Sequence, residues 1–168
     1  MKSPTTISKA AWLVVLAVAG LSATTFAGKQ VPIKGEFATE FAMLAPPPIV
    51  TIMVEGAGQA SHLGRATCFT DNETVDFTQG GILTGTLTLT AANGDTLVGR
   101  MEAMTTVDFP NDVVTFAGTL TFIGGSGRFA NATGTALLEG GATPIAGPTG
   151  LGWFSFQGTV SSPGASKR

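Results

Sequence analysis

The side chains able to carry acid–base or nucleophilic chemistry are few and widely spaced in this 168-residue sequence. It contains a single histidine, His62, and a single cysteine, Cys68. These two residues would lie six positions apart on one extended strand, about 20 Å at the usual rise, so they cannot form a nucleophilic dyad. A general base also needs a polar partner to orient it. We therefore expect His62 to be a hydrogen-bonding residue of a turn or rim, and Cys68 to be a small buried residue.

Charged residues that interrupt apolar segments are the stronger candidates for a binding site. Glu55, Arg100 and Glu102 interrupt such segments, and a charge enclosed by apolar side chains must be paired or functional. If Arg100 and an acid face the interior, they most simply form an ion pair and only secondarily anchor a ligand. With His62 and Arg65, these three residues make up the predicted ligand-binding set, and no catalytic residue is assigned.

Metal and phosphate sites are not indicated. Cys68 and His62 are too far apart for a zinc site, and Asp71–Asp76 lacks the glycine and the terminal glutamate of a calcium loop. The segment Gly124–Gly127 lacks the lysine and the following helix of a phosphate-binding loop. Its glycines instead predict a sharp turn, after which Phe129 folds back onto apolar neighbours. The sequence therefore predicts no metal and no cofactor.

The elements that would position these side chains are β-strands, because apolar and polar residues alternate along much of the sequence. In Leu83–Ala91, threonines on one face alternate with leucine, glycine and alanine on the other, which is the period of a half-buried strand. The next run, Thr96–Val107, follows Asn93-Gly94, which is typical of tight hairpin turns. The two runs are therefore predicted to be antiparallel neighbours. Comparable runs cover residues 34–43, 49–55, 62–69, 113–123, 133–139 and 152–160.

About eight strands joined by short turns predict an all-β domain, namely an eight-stranded antiparallel β-barrel. Closure removes the exposed strand edges, and a barrel of about eight strands is just wide enough to be filled by side chains or to hold one small ligand. A β-sandwich is the chief alternative, because alternation does not distinguish closure from stacking. An outer-membrane barrel is not favoured, because the chain has no tyrosine for interfacial girdles.

The first 27 residues have the pattern of a secretory signal peptide. Two lysines precede the apolar run Ala10–Leu21, and small residues surround a plausible cut after Ala27. A membrane anchor would need about 20 apolar residues, and this run is shorter. We therefore expect residues 1–27 to be removed and residues 28–168 to form one barrel domain, secreted or periplasmic, without a membrane span.

The charge composition does not suggest a nucleic-acid interface. The chain has 9 Lys+Arg against 11 Asp+Glu, a net charge of -2, whereas binding phosphates takes a clustered positive stripe. Since the leader carries two of the lysines, seven basic and eleven acidic residues remain after its removal. A lone cysteine forms no disulfide within the chain, so stability must come from packing and strand pairing.

Several turns resemble those of a known superfamily. The segment Phe122–Phe129, followed by Ala132-Thr-Gly134, resembles the Gly-Gly-Thr-Gly-x-Phe turn and subsequent Ala-x-Gly of the allene oxide cyclase and dirigent superfamily. The segments Leu89–Leu97 and His62–Arg65 add to the likeness, which spans about residues 35–160. The resemblance implies a small secreted bacterial protein with a calycin-like barrel, whose cavity in some relatives holds an apolar or phenolic intermediate. No motif here reproduces the catalytic set of the plant members.

Functions of different classes fit these observations. The leading expectation is non-enzymatic: the barrel binds a small hydrophobic ligand in its mouth or serves as a structural module. The alternative, implied by the resemblance alone, is a cofactor-free cyclase or isomerase related to allene oxide cyclase. An enzyme should gather at least two of the five candidate side chains around one space, whereas a binder should show an open apolar cavity. A filled barrel with an exposed Phe-rich or Met-rich patch would indicate an interaction protein. The oligomeric state stays open.

Overall fold

The alternating segments form eight strands that close into one antiparallel barrel in the computed structural model, which describes residues 29–144 and 147–161. The predicted signal peptide, residues 1–27, lies outside the described residues. Each strand pairs with the next along the chain, and the last returns to pair with the first. The predicted closed barrel is thus confirmed, and the alternative sandwich is not formed. The strands are β1 (Gln30–Ala45), β2 (Ile49–Ala60), β3 (Gly64–Asp76), β4 (Ile82–Ala91), β5 (Thr96–Asp108), β6 (Val113–Gly125), β7 (Gly134–Thr143) and β8 (Thr149–Ser161).

The interior is packed by pairing large side chains with glycines on adjacent strands. A Cβ atom added to Gly35 would lie 2.6 Å from the ring of Phe156, which is its partner across the β1–β8 pair. Gly150 and Phe41 are related in the same way, again with 2.6 Å between the added Cβ and the ring. Because glycine leaves the space above its backbone empty, each ring fits inside a barrel of only eight strands.

A layer of phenylalanine rings crosses the middle of the barrel. The rings of Phe37 and Phe154 stack with their centroids 4.9 Å apart, and Phe156 stacks on Phe37 at 6.3 Å. Phe122 meets Phe156 edge to face, with 6.2 Å between centroids. Such stacked and edge-on contacts are the favoured arrangements of aromatic rings.

One end of the barrel, where β1 begins, is sealed by its connecting turns, and we call it the closed end. A short 3₁₀ helix, Gly127–Phe129, turns the ring of Phe129 inward, where the side chain is 1% exposed. Leu63, in the turn between β2 and β3, is also buried there. Gly127 has φ +57° and faces the Asp95 carboxylate, so a side chain would be both strained and obstructed. The predicted glycine turn and inward Phe129 are confirmed.

The opposite end, which we call the mouth, is bordered by residues 46–48, 77–81 and 109–112, and by residues 144 and 147–148 of the connection between β7 and β8. Two of these connections contain 3₁₀ helices, Phe77–Gln79 and Phe109–Asn111. The carboxylates of Asp76 and Asp108 cap them by accepting hydrogen bonds from backbone N–H groups. No described helix is long and apolar enough to span a membrane.

A β-bulge in β3 changes which side chains enter the barrel. Val54 of β2 lies opposite Thr70, but Ile52, two residues earlier, lies opposite Glu73, so β3 contains one extra residue. The bulge turns both Thr70 and Glu73 inward, with Asp71 and the residue after it exposed between them.

Candidate functional site

The mouth opens into a cavity with an apolar wall. Its volume is about 510 Å³ and all eleven residues that line it are apolar. A volume of this size is typical of small-molecule sites. Val50 and Val75 in this wall are buried, whereas its other inward-facing side chains are only half buried, in contrast to those at the closed end. The wall is formed mainly by Phe41, Met43, Val50, Ile52, Val75, Val107 and Val114, with Phe77 and Phe109 at the rim.

A second, smaller cavity lies deeper in the barrel, and we call it the inner chamber. Its volume is about 50 Å³, which is room for one or two groups the size of a water molecule. It shares the lining residues Phe41, Ile52 and Ala142 with the mouth cavity, so the two cavities adjoin. Phe154, from the aromatic layer, also lines it. Polar or titratable side chains enter its lining from β1 and β3, namely Thr39, Cys68, Thr70 and Glu73.

Glu73 is the carboxyl group of this chamber. Its side chain is 7% exposed, and desolvation by burial raises its pKa from the ordinary value of 4.5 to about 7, an effect that the nearby Thr70 hydroxyl partly offsets. Among the described residues the one ion pair joins Arg128 to Asp95 at 3.5 Å, so no basic side chain neutralises Glu73. Gly85 of β4 makes room for the bulge, because a Cβ there would lie 3.3 Å from the Glu73 Cα atom.

The hydroxyl of Thr70 is buried beside Glu73. The residue is 2% exposed, and its Oγ1 atom has no hydrogen-bond partner of good geometry among the described residues. The hydroxyl therefore lies close enough to Glu73 to influence its ionisation without forming a well-aligned bond. A buried polar atom without a partner is costly, and the Thr70 hydroxyl can still accept or donate a hydrogen bond in the inner chamber.

Cys68, the lone cysteine, contributes a thiol to the same chamber and is buried, as expected from the sequence. Burial raises its pKa to about 11. Since the thiolate is the reactive form of cysteine, a thiol with this pKa is a poor nucleophile near neutral pH. Cys68 therefore serves as an apolar lining residue.

The predicted binding residues lie elsewhere. His62 is exposed in the turn between β2 and β3, with φ +64°, and its Nε2 atom is 3.0 Å from the Pro32 carbonyl oxygen. This placement agrees with the interpretation of His62 as a hydrogen-bonding residue of a turn. Arg65 is exposed on the outer face of β3, opposite Gln59.

The expectation that Glu55, Arg100 and Glu102 face the interior is corrected by the structure. All three are exposed on the outer wall, and Arg100 and Glu102 lie opposite threonines of β4 and β6. The reason is the two-residue period of β5, which turns Met101 inward and both of its charged neighbours outward. None of the five candidates lines the inner chamber. Their assignment as ligand-binding residues stays a prediction.

Sequence reasoning did not identify Thr70 and Glu73, because it ended the strand at Phe69 and treated the following segment as a loop. A signal was present: Cys68 and Val75 are apolar residues seven positions apart, and both can face inward only if the strand contains one extra residue. Residues 29–144 and 147–161 bring together no group of three His, Cys, Asp or Glu side chains suited to a metal ion.

Comparison with solved structures gives a similarity of fold. No family profile matches the sequence, and no curated protein matches it. The solved structure of a pterocarpan synthase dirigent protein superposes with a TM-score of 0.49 at 11% sequence identity, over 80% of this chain and 93% of that chain.

Proposed function

We propose that the barrel binds a small hydrophobic ligand in its mouth cavity, and that it does so as a secreted or periplasmic protein. The observation that carries the proposal is the apolar cavity of about 510 Å³ at one end of a barrel whose other end is sealed. Apolar surface removed from water contributes about 25 cal/mol per Å². A ligand that fills the mouth would therefore gain affinity from its apolar surface and from that of the wall.

The two alternatives fit the interior less well. An interaction protein was expected to combine a filled barrel with an exposed Phe-rich patch; Phe77 and Phe109 are exposed at the rim, but the barrel behind them holds an apolar cavity of about 510 Å³. A cyclase or isomerase was expected to gather at least two of the five candidate residues around one space, and these side chains lie on the outer wall or in a turn. The inner chamber instead offers a single carboxyl group and a thiol with a raised pKa. These observations favour binding over catalysis.

The proposal is tested with N-phenyl-1-naphthylamine, a neutral apolar probe whose fluorescence rises in apolar sites. We expect saturable binding to the purified protein. Val114→Trp fills the mouth cavity from β6 and should weaken binding at least about tenfold, a loss of about 1.4 kcal/mol. Thr115→Trp is the matched control, because the Thr115 side chain, which follows Val114 in β6, faces outward.

An unchanged affinity in Val114→Trp, or an equal loss in Thr115→Trp, would place the probe outside the mouth and contradict the proposal. Native mass spectrometry of the protein from its own host provides a second measurement. A co-purifying apolar molecule would support binding, and conversion of that molecule on incubation would favour the enzyme alternative.

A further inference from the structure

We propose that the ligand is a hydrophobic amine, an apolar molecule with a terminal protonated amino group that Glu73 and Thr70 hold in the inner chamber. This inference rests on the proposed function and adds the chemical class of the ligand. The apolar part would occupy the mouth cavity, and the ammonium group would enter the smaller chamber that adjoins it.

The chamber has the chemistry to accept N–H donors. Glu73 supplies a carboxyl group, and Thr70 and Thr39 supply hydroxyl oxygens, all on residues that are at least nine-tenths buried. No Lys or Arg side chain lines the chamber. A primary ammonium group has three donors and no acceptor, so three oxygen-bearing side chains match it. The volume of about 50 Å³ admits such a head group, whereas a trimethylammonium group is too large.

Other polar head groups match Glu73 less well. A ligand carboxylate would be repelled by the ionised carboxylate, and an alcohol would offer one neutral hydrogen bond. An ammonium group offers a charge-assisted bond, which is shorter and roughly twice as strong as a neutral one. Burial of an ion pair usually costs desolvation of both ions. Here the carboxyl group of Glu73 is already desolvated in the folded protein, so only the ligand cation is newly desolvated.

The distribution of charge along the barrel axis also favours a cation. Asp76, Asp108 and Asp112 lie at the mouth. Hydrogen bonds from Thr78 and Gln79 lower the pKa of Asp76, which therefore stays ionised. In the described part of the chain, the basic residues lie at the closed end or on the outer wall, namely Lys29, Lys34, Arg65, Arg100 and Arg128. A cation is therefore attracted to the mouth and an anion is not.

The proposal predicts how affinity depends on pH. The ammonium group favours ionised Glu73, so binding of an amine should weaken as the pH falls below about 7, by up to about tenfold per pH unit. Of the chamber-lining residues, Cys68 on β3 is the other titratable group, and its raised pKa keeps it neutral over this range. The strands packed against Glu73, β2 and β4, place Ile52, Gly85 and Leu87 near it, and these residues do not titrate.

The test compares four ligands with the same eight-carbon chain as competitors of N-phenyl-1-naphthylamine. At pH 8 we expect octylamine to bind at least about tenfold more tightly than 1-octanol. Octanoate should bind more weakly than 1-octanol. Octyltrimethylammonium keeps the charge but lacks N–H donors and exceeds the chamber, so it should lose most of the advantage of octylamine.

Variants test whether the preference for octylamine over 1-octanol arises in the inner chamber. Glu73→Gln should lower the affinity for octylamine at least about tenfold while leaving that for 1-octanol within about threefold. Thr70→Val should lower the affinity for octylamine severalfold, and this affinity should still depend on pH. Glu36→Gln removes an exposed carboxylate on the outer wall and is the matched control. If Glu73→Gln does not fold, the pH profile of the unaltered protein and Thr70→Val still provide the test.

Three results would overturn the proposal: equal binding of octylamine and 1-octanol, an amine preference that persists in Glu73→Gln, or binding of octyltrimethylammonium as tight as that of octylamine. The last two would assign the preference to the acidic mouth alone. In each of these cases 1-octanol still displaces the probe, and the proposed function stands. Failure of the probe and of all four ligands to bind would instead contradict the proposed function itself.

Discussion

The two ends of the barrel use the same kind of connection with opposite results. At both ends a 3₁₀ helix carries a phenylalanine between two strands. At the closed end Phe129 is the last residue of its helix and is 1% exposed, whereas Phe109 at the mouth is the first residue of its helix and is 80% exposed. The ring at the last position of its helix fills one end of the barrel, whereas the ring at the first position leaves the other end accessible.

This difference in burial separates the part of the barrel that stabilises the fold from the part that we propose binds the ligand. The closed end and the aromatic layer contain fully buried side chains, whose contacts stabilise the barrel. The mouth retains apolar side chains that are only half buried. Substitutions at the closed end should therefore affect unfolding more than those at the mouth, and this expectation can be tested at several positions.

The largest contrast is expected for the two phenylalanines. Phe129→Ala removes a fully buried ring and should lower the free energy of unfolding by about 3–5 kcal/mol. Phe109→Ala, the matched control at the mouth, should change it by no more than about 0.5 kcal/mol. Urea denaturation of both variants measures the difference. Similar losses in the two would show that the mouth turn is also part of the core.

The inner chamber should make stability depend on pH. The pKa of Glu73 is raised from 4.5 to about 7, so the folded state binds its proton more tightly than the unfolded state. The stabilisation that protonated Glu73 adds to the free energy of unfolding is therefore fully present below about pH 4.5. It is lost as the pH rises to about 7, by about 3 kcal/mol. Glu73→Gln should be the more stable protein above pH 7 by up to this amount.

Urea denaturation at pH 4.5, 6 and 8 measures this effect as the difference between Glu73→Gln and the unaltered protein. The difference should grow with pH, whereas that of the control Glu36→Gln should not. A constant difference for Glu73→Gln would mean that the carboxyl group is hydrated in solution.

Filling the space beside the bulge in β3 should have a smaller effect on the free energy of unfolding. A Cβ at Gly85 would lie 3.1 Å from the Met101 Cε atom and 3.3 Å from the Glu73 Cα atom, so Gly85→Ala should cost about 1–3 kcal/mol through overpacking. The control Thr84→Ala changes the adjacent exposed position and should stay within about 0.5 kcal/mol. Thermal unfolding of both variants measures the difference. A stabilised Gly85→Ala variant would contradict the described packing of the bulge.

The smallest effect is expected at the surface of the closed end. The guanidinium carbon of Arg128 lies 5.2 Å from the centroid of the Phe129 ring, and its Nε atom is 3.5 Å from the Asp95 carboxylate. Arg128→Met should therefore cost about 0.5–1 kcal/mol. Arg100→Met, on the outer wall, should be nearly neutral in the same urea titration. Equal losses of stability in the two variants would mean that the contacts of Arg128 with the Phe129 ring and Asp95 do not stabilise the fold.

Alternation was enough to predict the regular part of the fold. The eight runs of alternating residues correspond to the eight strands, and the glycines at the end of β6 and just after it predicted the turn that buries Phe129. Those features depend on local periodicity and on backbone angles that only glycine adopts easily. Gly94 adopts φ +85° in the predicted hairpin turn, whereas Asn93 does not adopt a positive φ.

The candidate site could not be predicted in the same way. A single extra residue in β3 reverses the faces of the residues after it, which turns Glu73 inward. Conversely, Arg100 and Glu102 sit between apolar residues in sequence but lie on the outer face of a regular strand. The volume of the mouth depends on how turns from distant parts of the chain meet, and periodicity carries no information about this.

The most direct test of the central claim is a crystal structure of the purified protein in complex with 1-bromooctane, with the bromine located by anomalous scattering. We expect a bromine peak inside the mouth cavity, among Val50, Val107 and Val114. A peak confined to the outer wall, or a mouth filled by side chains, would show that the barrel does not bind apolar ligands in its mouth.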